Sequence, residues 1–201
     1  MSNNCLINIS DFKKGKRIKS TGFSTIYLVQ NIKTSEILIA KIITCSGDIE
    51  QSQRMTGREI EIMMNLQHPT IINFVGYSLQ DFDGENSVTI LMEYAKKGSL
   101  DQLLEKVQKS LANSDYDNTA RQIILVGIAR GMMFLHQHNI LHRDLKPANI
   151  LLDENYHPLI SDFGLSSFYE DGKSMTQNCG TPIYMSPEVI SMNHFNGKSD
   201  V

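Results

Sequence analysis

From residue 12 to residue 43, apolar side chains recur in the way of half-buried strands: Ile18, then Ile26 and Leu28, then Ile37-Leu38-Ile39-Ala40-Lys41-Ile42-Ile43. This pattern predicts three strands of a small antiparallel sheet, with Lys41 at the end of the third. The period then becomes helical. In Arg58-Glu59-Ile60-Glu61-Ile62-Met63-Met64, the side chains of Ile60, Met63 and Met64 share an apolar face by i, i+3, i+4 spacing. His68 to Tyr77 reads as the end of that helix running into a strand, 80–87 as a polar hairpin loop, and 88–95 as another strand. After Lys96-Lys97-Gly98, Ser99 is an N-cap for a short helix through Leu100, Leu103 and Leu104. Asn113 to Asn118 is a polar loop. A long helix follows from Thr119 to His138, with Ile124, Ile128, Gly131, either Phe134 or Leu135, and His138 on its apolar face. His136 and His138 read as ordinary polar residues near its end.

Composition narrows the class without naming it. A chain of 201 residues with 41% hydrophobic content accommodates one or two compact lobes with a real core. The net charge of -3 provides no broad basic footprint, so no nucleic-acid partner is expected. Cys5, Cys45 and Cys179 are odd in number and far apart, with neither metal-ligand nor disulfide-framework spacing. The N-terminus lacks the charged and apolar regions of a signal peptide, and no apolar run is long enough to span a bilayer. A reducing compartment follows as the expectation, the cytoplasm by default with the nucleus as the alternative.

Chemistry concentrates between Ile140 and Leu152, where His142, Arg143, Asp144, Lys146, Pro147 and Asn149 stand between two apolar clamps. Phosphoryl transfer needs an acceptor for a hydroxyl proton, a cation near the phosphate and an oxygen ligand for a metal; Asp144, Lys146 and Asn149 offer one each. Asp162-Phe163-Gly164 supplies a second carboxylate, and Ser186-Pro187-Glu188 follows. In their order and spacing these motifs resemble a eukaryotic protein kinase domain, with Ser186 in the place of the usual Ala. Lys146 two places after Asp144, and Gly180-Thr181-Pro182 before Tyr184, resemble the serine/threonine type. Phe74-Val75-Gly76-Tyr77, Gly98-Ser99-Leu100 and Ile128-Ala129-Arg130-Gly131 are similar to its tyrosine-kinase-like branch.

The resemblance implies an α+β, two-lobed protein-kinase-like fold: a small antiparallel-sheet N-lobe with one main helix, and a mainly helical C-lobe truncated at its central helix. Residues 1–11 would be an N-terminal extension, 12–95 the N-lobe and hinge, and 96–201 a partial C-lobe. ATP and Mg2+ are implied with it. Asp144 becomes the catalytic base and Lys146 the cation on the transferring phosphoryl. Lys41 holds the α and β phosphates, with Glu59 as its partner and Glu61 as the solvated alternative. Asn149 and Asp162 become the Mg2+ ligands. Ile18, Ile26, Ile39, Met92, Glu93, Ala95 and Leu151 surround the nucleotide, with Met92 as gatekeeper and the backbone of Glu93 to Ala95 facing adenine. His142, Phe163, Met63 and Phe74 form a stacked apolar spine, Thr181 bonds the catalytic Asp, and Asp200 anchors the catalytic loop from beneath. Protein substrates with Ser or Thr acceptors are implied, together with regulatory protein partners. The segment from Gly164 to Ser186 would be an activation segment bearing Ser166, Ser167, Ser174 and Thr176.

Two departures stand out. The three glycines of the family's phosphate loop fall on Lys19, Thr21 and Ser24, and only Gly22 remains, off the pattern. Side chains at those places make close approach of the backbone to phosphate harder. Ile39 replaces the Ala that covers adenine. The sequence also stops at Val201, just after Asp200, so part of the apolar face of the helix 119–138 is expected in water. Three readings follow: an active serine/threonine kinase domain, a pseudokinase or scaffold, and an inactive remnant.

At about 25 cal/mol per Å2, a few hundred Å2 of lost burial rivals a domain's net stability. The isolated chain is therefore expected to be unstable, aggregation-prone or partner-dependent; a sharp cooperative melt of the purified monomer would refute this. Phosphorylation of Ser174 or Thr176 should order the activation segment by placing about two negative charges near Arg143. Mass spectrometry detecting phosphate on neither residue, with activity untouched when both are Ala, would count against that.

Overall fold

The computed structural model describes residues 5–44, 49–111, 115–169, 179–192 and 196–200. Cys45, Ser174 and Thr176, and with them the expected phosphorylation sites, lie outside the described residues. The chain forms two compact units, one of Met1–Leu66 with Asn73–Tyr94, the other of Gln67–Ile72 with Ala95–Val201.

In the first unit, β1 (Phe12–Ser20), β2 (Ser24–Asn31), β3 (Ile37–Ile43), β4 (Phe74–Ser78) and β5 (Thr89–Glu93) form one antiparallel sheet in the order β1-β2-β3-β5-β4. The three alternating segments of the N-terminal region are thus strands. Lys41 is not at the end of β3: Ile42 and Ile43 continue it, because they still pair with Thr25 and Ser24 of β2. Phe12, Val29, Leu38, Ala40 and Leu91 form a buried cluster on which Ile7, Tyr27 and Phe82 pack. Ahead of β1, the Ile7 N–H donates to the Tyr77 carbonyl at 2.8 Å and the Tyr77 N–H to the Cys5 carbonyl at 2.9 Å, a parallel bridge onto β4. Gly76 makes this possible. A Cβ there would stand 2.6 Å from Ile7 Cγ2 and 2.7 Å from the Cys5 carbonyl oxygen.

Helix α1 (Ile49–Met64) differs from the sequence expectation in its face. Thr56, Glu59, Ile60, Ile62 and Met63 are buried, whereas Met64 is exposed. The buried arc is centred near Glu59, and at about 100° per residue Met64 lies roughly 140° around the helix from it. A buried carboxylate at the middle of the face misled the apolar pattern.

The second unit carries β6 (Gly98–Ser99), α2 (Leu100–Gln108), α3 (Asn118–Gln137), β7 (Ile140–Leu141), β8 (Ile150–Leu152), β9 (Pro158–Ile160), β10 (Ser167–Phe168) and α4 (Pro187–Met192). Two small sheets, β6-β8-β9 and β7-β10, accompany the helices. Asp117 caps α3 by accepting the Ala120 N–H at 2.9 Å, so Asn118 belongs to the helix and not to the preceding loop. Ala120, Ile124, Gly127, Gly131, Met132 and Leu135 are its buried residues. Leu135 rather than Phe134 takes the core position, and His138 is exposed, bonded to the Phe134 carbonyl with its ring tilted against the Phe134 ring. Leu103, Ala120, Ile124, Leu152 and Tyr156 form the core beneath α2 and α3. On the other side of α3, Leu125, Val126 and Met133 are exposed, as expected of a partly uncovered apolar helix.

α3 lies close on β9 because two of its residues carry no side chain. At Gly127 a Cβ would collide with the Pro158 ring, and at Gly131 it would come within 2.6 Å of Ile160 Cδ1 and 2.7 Å of Thr70 Oγ1. Gly127→Ala gains about 1 kcal/mol of helix propensity and forfeits about 1–3 kcal/mol by overpacking. The Pro158 ring has no rotamer to retreat into, so the overpacking cost falls at about 2–3 kcal/mol and a net loss of about 1–2 kcal/mol is expected, read as a lower urea midpoint at unchanged m-value; a higher midpoint would mean that the helix shifts freely.

Candidate functional site

The sheet of the first unit places Lys41 on its central strand, opposite Ile26 on one side and Ile90 on the other. Lys41 Nζ lies 2.6 Å from Glu59 Oε1, with side chains 12% and 5% exposed. Glu61, two residues on, is exposed. A charge pair this dry costs several kcal/mol of desolvation per ion and breaks even only through close contact, so removing either partner would strand the other. Ile39 and Met92 face one another in register across β3 and β5, both nearly buried, while Ile26 is half-buried and Ile18 exposed. The Glu93 N–H donates to the Asn73 carbonyl at 3.0 Å and its carboxylate accepts the Asn73 N–H at 2.7 Å. Glu93 can therefore offer only its carbonyl to a base, which narrows the expectation for its backbone.

The turn between β1 and β2 is bonded to itself. The Thr21 N–H donates to the Ser24 carbonyl at 2.9 Å, and Thr21 Oγ1 accepts the N–H groups of Phe23 and Ser24 at 3.3 and 3.2 Å. Ser20 and Thr25 join hydroxyls at 3.1 Å, and the Thr44 N–H reaches the Phe23 carbonyl at 2.9 Å. Lys19 is exposed on the end of β1, paired in register with Ile26.

In the second unit the loop after β7 is pinned from its backbone. Asp200 Oδ2 accepts the His142 N–H at 2.7 Å and Oδ1 the Arg143 N–H at 2.6 Å. His136 Nε2 lies 3.0 Å from the same Asp200 Oδ2. From sequence alone His136 reads as an ordinary polar residue near the helix end; the signal for this contact is position, one turn beyond the buried Met132 on α3. His142 is fully buried. Its Nδ1 accepts the Asp144 N–H at 3.3 Å, which makes Nε2 the protonated nitrogen and a donor to the Ser161 carbonyl at 3.1 Å. Its ring meets Phe163 edge-on at 5.4 Å. Arg143 and Asp162 are held at φ 64° and 67°, in the left-handed region that costs a non-glycine residue energy. Gly180, at φ 110°, is required: a Cβ there would stand 2.5 Å from the Arg143 carbonyl oxygen.

On this frame Asp144, Lys146, Asn149 and Thr181 converge. Lys146 Nζ lies 2.7 Å from Asp144 Oδ2 and donates to Thr181 Oγ1 at 2.6 Å, while the Thr181 hydroxyl donates to Asp144 Oδ1 at 2.6 Å. Asn149 Nδ2 donates to the Asp144 carbonyl and to its Oδ2, at 2.9 and 3.0 Å. With both amide hydrogens directed at Asp144, the Asn149 Oδ1 is the oxygen left for a cation. Asp162 is exposed at the N-terminal end of the turn Phe163–Leu165, and Leu151 is half-buried in β8 between Ser99 and Leu159. Ala95 is buried, with its carbonyl accepting the Gly98 N–H at 3.2 Å. Two oxygen donors of this kind suit a hard cation that keeps several ligand places for water and phosphate. Nearby, burial pushes the Cys179 thiol above its ordinary pKa, which keeps it protonated and unreactive.

The described residues include no helix long and apolar enough to cross a membrane. Over residues 12–201 the chain matches the protein kinase domain. It is 31% identical over 196 residues to an Aurora kinase of Eremothecium gossypii, a match covering 97% of this chain and 51% of that protein. With the probable serine/threonine-protein kinase drkB of Dictyostelium discoideum it shares 34% over 197 residues, covering 97% and 27%, and with the serine/threonine-protein kinase polo of Drosophila melanogaster 31% over 201 residues, covering 98% and 33%. The chain thus spans about half the length of these relatives or less. A family match across nearly the whole sequence, on a fold of antiparallel sheet with one main helix followed by a mainly helical unit, means that the chain belongs to the protein kinase domain family.

Proposed function

We propose that this domain transfers the γ-phosphate of ATP, with Mg2+, to Ser or Thr hydroxyls of protein substrates. The closed ring of Asp144, Lys146 and Thr181 carries this reading. It fixes one carboxylate in one orientation, beside one cation, on a loop whose backbone cannot slide. Asp144 accepts the proton of the incoming hydroxyl as the new P–O bond forms and the bond from the γ-phosphorus to the β,γ-bridging oxygen breaks, with ADP as the leaving group. Lys146 balances negative charge on the phosphoryl in flight. Lys41, oriented by Glu59, binds the α and β phosphates. Asn149 Oδ1 and the Asp162 carboxylate would hold Mg2+, which supplies neutralisation of phosphate charge when bound. Ile18, Ile26, Ile39, Met92, the Glu93 carbonyl, Ala95 and Leu151 accommodate the adenosine portion. The likeness to kinases named as serine/threonine-specific supports the choice of acceptor, and protein substrates and regulatory protein partners go with it. A cytoplasmic or nuclear setting accords with the free thiols of Cys5 and Cys179.

A second reading, a scaffold that turns over poorly, is favoured by one observation, the self-bonded turn between β1 and β2.

Mg2+-ATP at 100 times its dissociation constant should add roughly 2.7 kcal/mol, a rise in Tm of roughly 5 to 10 °C. Asp162→Asn should lose most of this shift. Asp144→Asn should keep it while phosphoryl transfer falls about 10²- to 10⁴-fold. A shift equal in wild type and Asp162→Asn would remove the metal assignment, and undiminished transfer in Asp144→Asn would remove the base.

A further inference from the structure

We propose that the Thr21 hydroxyl occupies, within the chain, the place of a nucleotide phosphate oxygen, so that ATP must displace it before the β1–β2 turn can bind phosphate. The inference rests on the reading above in taking this turn as the phosphate loop. What a phosphate needs from such a turn is a set of backbone N–H groups with no other acceptor. Here the N–H groups of Phe23 and Ser24 both point at one oxygen, Thr21 Oγ1, at 3.3 and 3.2 Å. The Thr21 N–H is spent as well, on the Ser24 carbonyl at 2.9 Å. Thr21 Oγ1 lies 3.2 Å from the same carbonyl and can donate to it. One side chain therefore both closes the turn and takes two of its donors.

The turn is also tied down from outside. The Thr44 N–H, just beyond β3, holds the Phe23 carbonyl at 2.9 Å, and the Ser20 and Thr25 hydroxyls join across the base at 3.1 Å. Phe23 itself is 74% exposed, so no apolar packing fixes the tip; hydrogen bonds do. The two bonds to Thr21 Oγ1 are long, at the weak end of the N–H···O range. Anionic phosphate oxygens are stronger acceptors than a hydroxyl, since charge-assisted hydrogen bonds are about twice as strong as neutral ones. The triphosphate therefore wins the competition at a reduced affinity, and the turn opposes nucleotide binding without abolishing it.

A steric effect of the Thr21 side chain and the acceptor effect of its hydroxyl are separable. Thr21→Val keeps the branched shape and removes the acceptor, Thr21→Gly removes both, and Thr21→Ser keeps the acceptor on a smaller side chain. Isothermal titration of each variant with Mg2+-ATP and with adenosine, which carries no phosphate, gives the ratio of the two dissociation constants. Freeing two weak donors should tighten ATP about 5- to 30-fold in Thr21→Val and Thr21→Gly, with adenosine unchanged and Thr21→Ser close to wild type. A gain in Thr21→Gly and Thr21→Ser but not in Thr21→Val would assign the effect to bulk and overturn the proposal. An unchanged ATP-to-adenosine ratio in every variant, with both ligands binding, overturns it while leaving the kinase reading intact; binding of neither ligand to any variant overturns both.

Discussion

The Asp200 side chain, 1% exposed, accepts the N–H groups of two consecutive residues, His142 and Arg143, and the loop bearing Asp144, Lys146 and Asn149 hangs from those two bonds. Hydrogen bonds to a charged acceptor contribute about 1.5–3 kcal/mol each, whereas the left-handed backbone at Arg143 costs about 1–3 kcal/mol. The pair is enough to hold the strained residue in place. That strain turns the chain so that the His142 ring goes inward toward Phe163 and Ser161, while the Asp144 carboxylate goes outward to Thr181 and Lys146. From the other end, the Ser161 N–H and hydroxyl both donate to the Asn149 carbonyl, bracing the loop against the segment that carries Asp162.

The first unit solves a different problem. Lys41 and Glu59 are nearly as dry as the core around them, and nothing about an isolated pair of this kind favours folding. Its persistence at the centre of α1's buried face makes sense as orientation: the lysine can extend only one way, and α1 can rotate only by stranding the carboxylate.

Alternation made the sheet legible because its strands carry period-two apolar positions, and the long helix was legible for the corresponding reason. The errors fall where polarity and burial part company. Spacing counts apolar residues only, so it draws the face through Met64 and leaves out the buried Glu59, and a histidine near a helix end, as at His136, reads as solvated until a carboxylate from a distant part of the chain meets it. The Asp200 contacts span more than fifty residues, and no local period reports them, so they came into view only through the resemblance. The self-bonding of Thr21 was equally invisible. The sequence revealed that glycines were missing from the turn, but not that the replacement would turn its oxygen onto the turn's own N–H groups.

The two outer strands of the five-stranded sheet shield themselves from other chains by unlike means. β1 is rich in lysine and interrupted by register shifts, features that discourage a foreign strand from pairing. β4 carries no lysine and a single irregularity between Phe74 and Gly76, and its open hydrogen-bonding side is covered by Cys5 to Ile7 lying alongside Tyr77. Because the family match begins only at residue 12, those few residues look dispensable when the chain is aligned with its relatives. Physically they cover an edge, and a chain trimmed to the family boundary would present β4 as a bare template for strand addition by a second molecule.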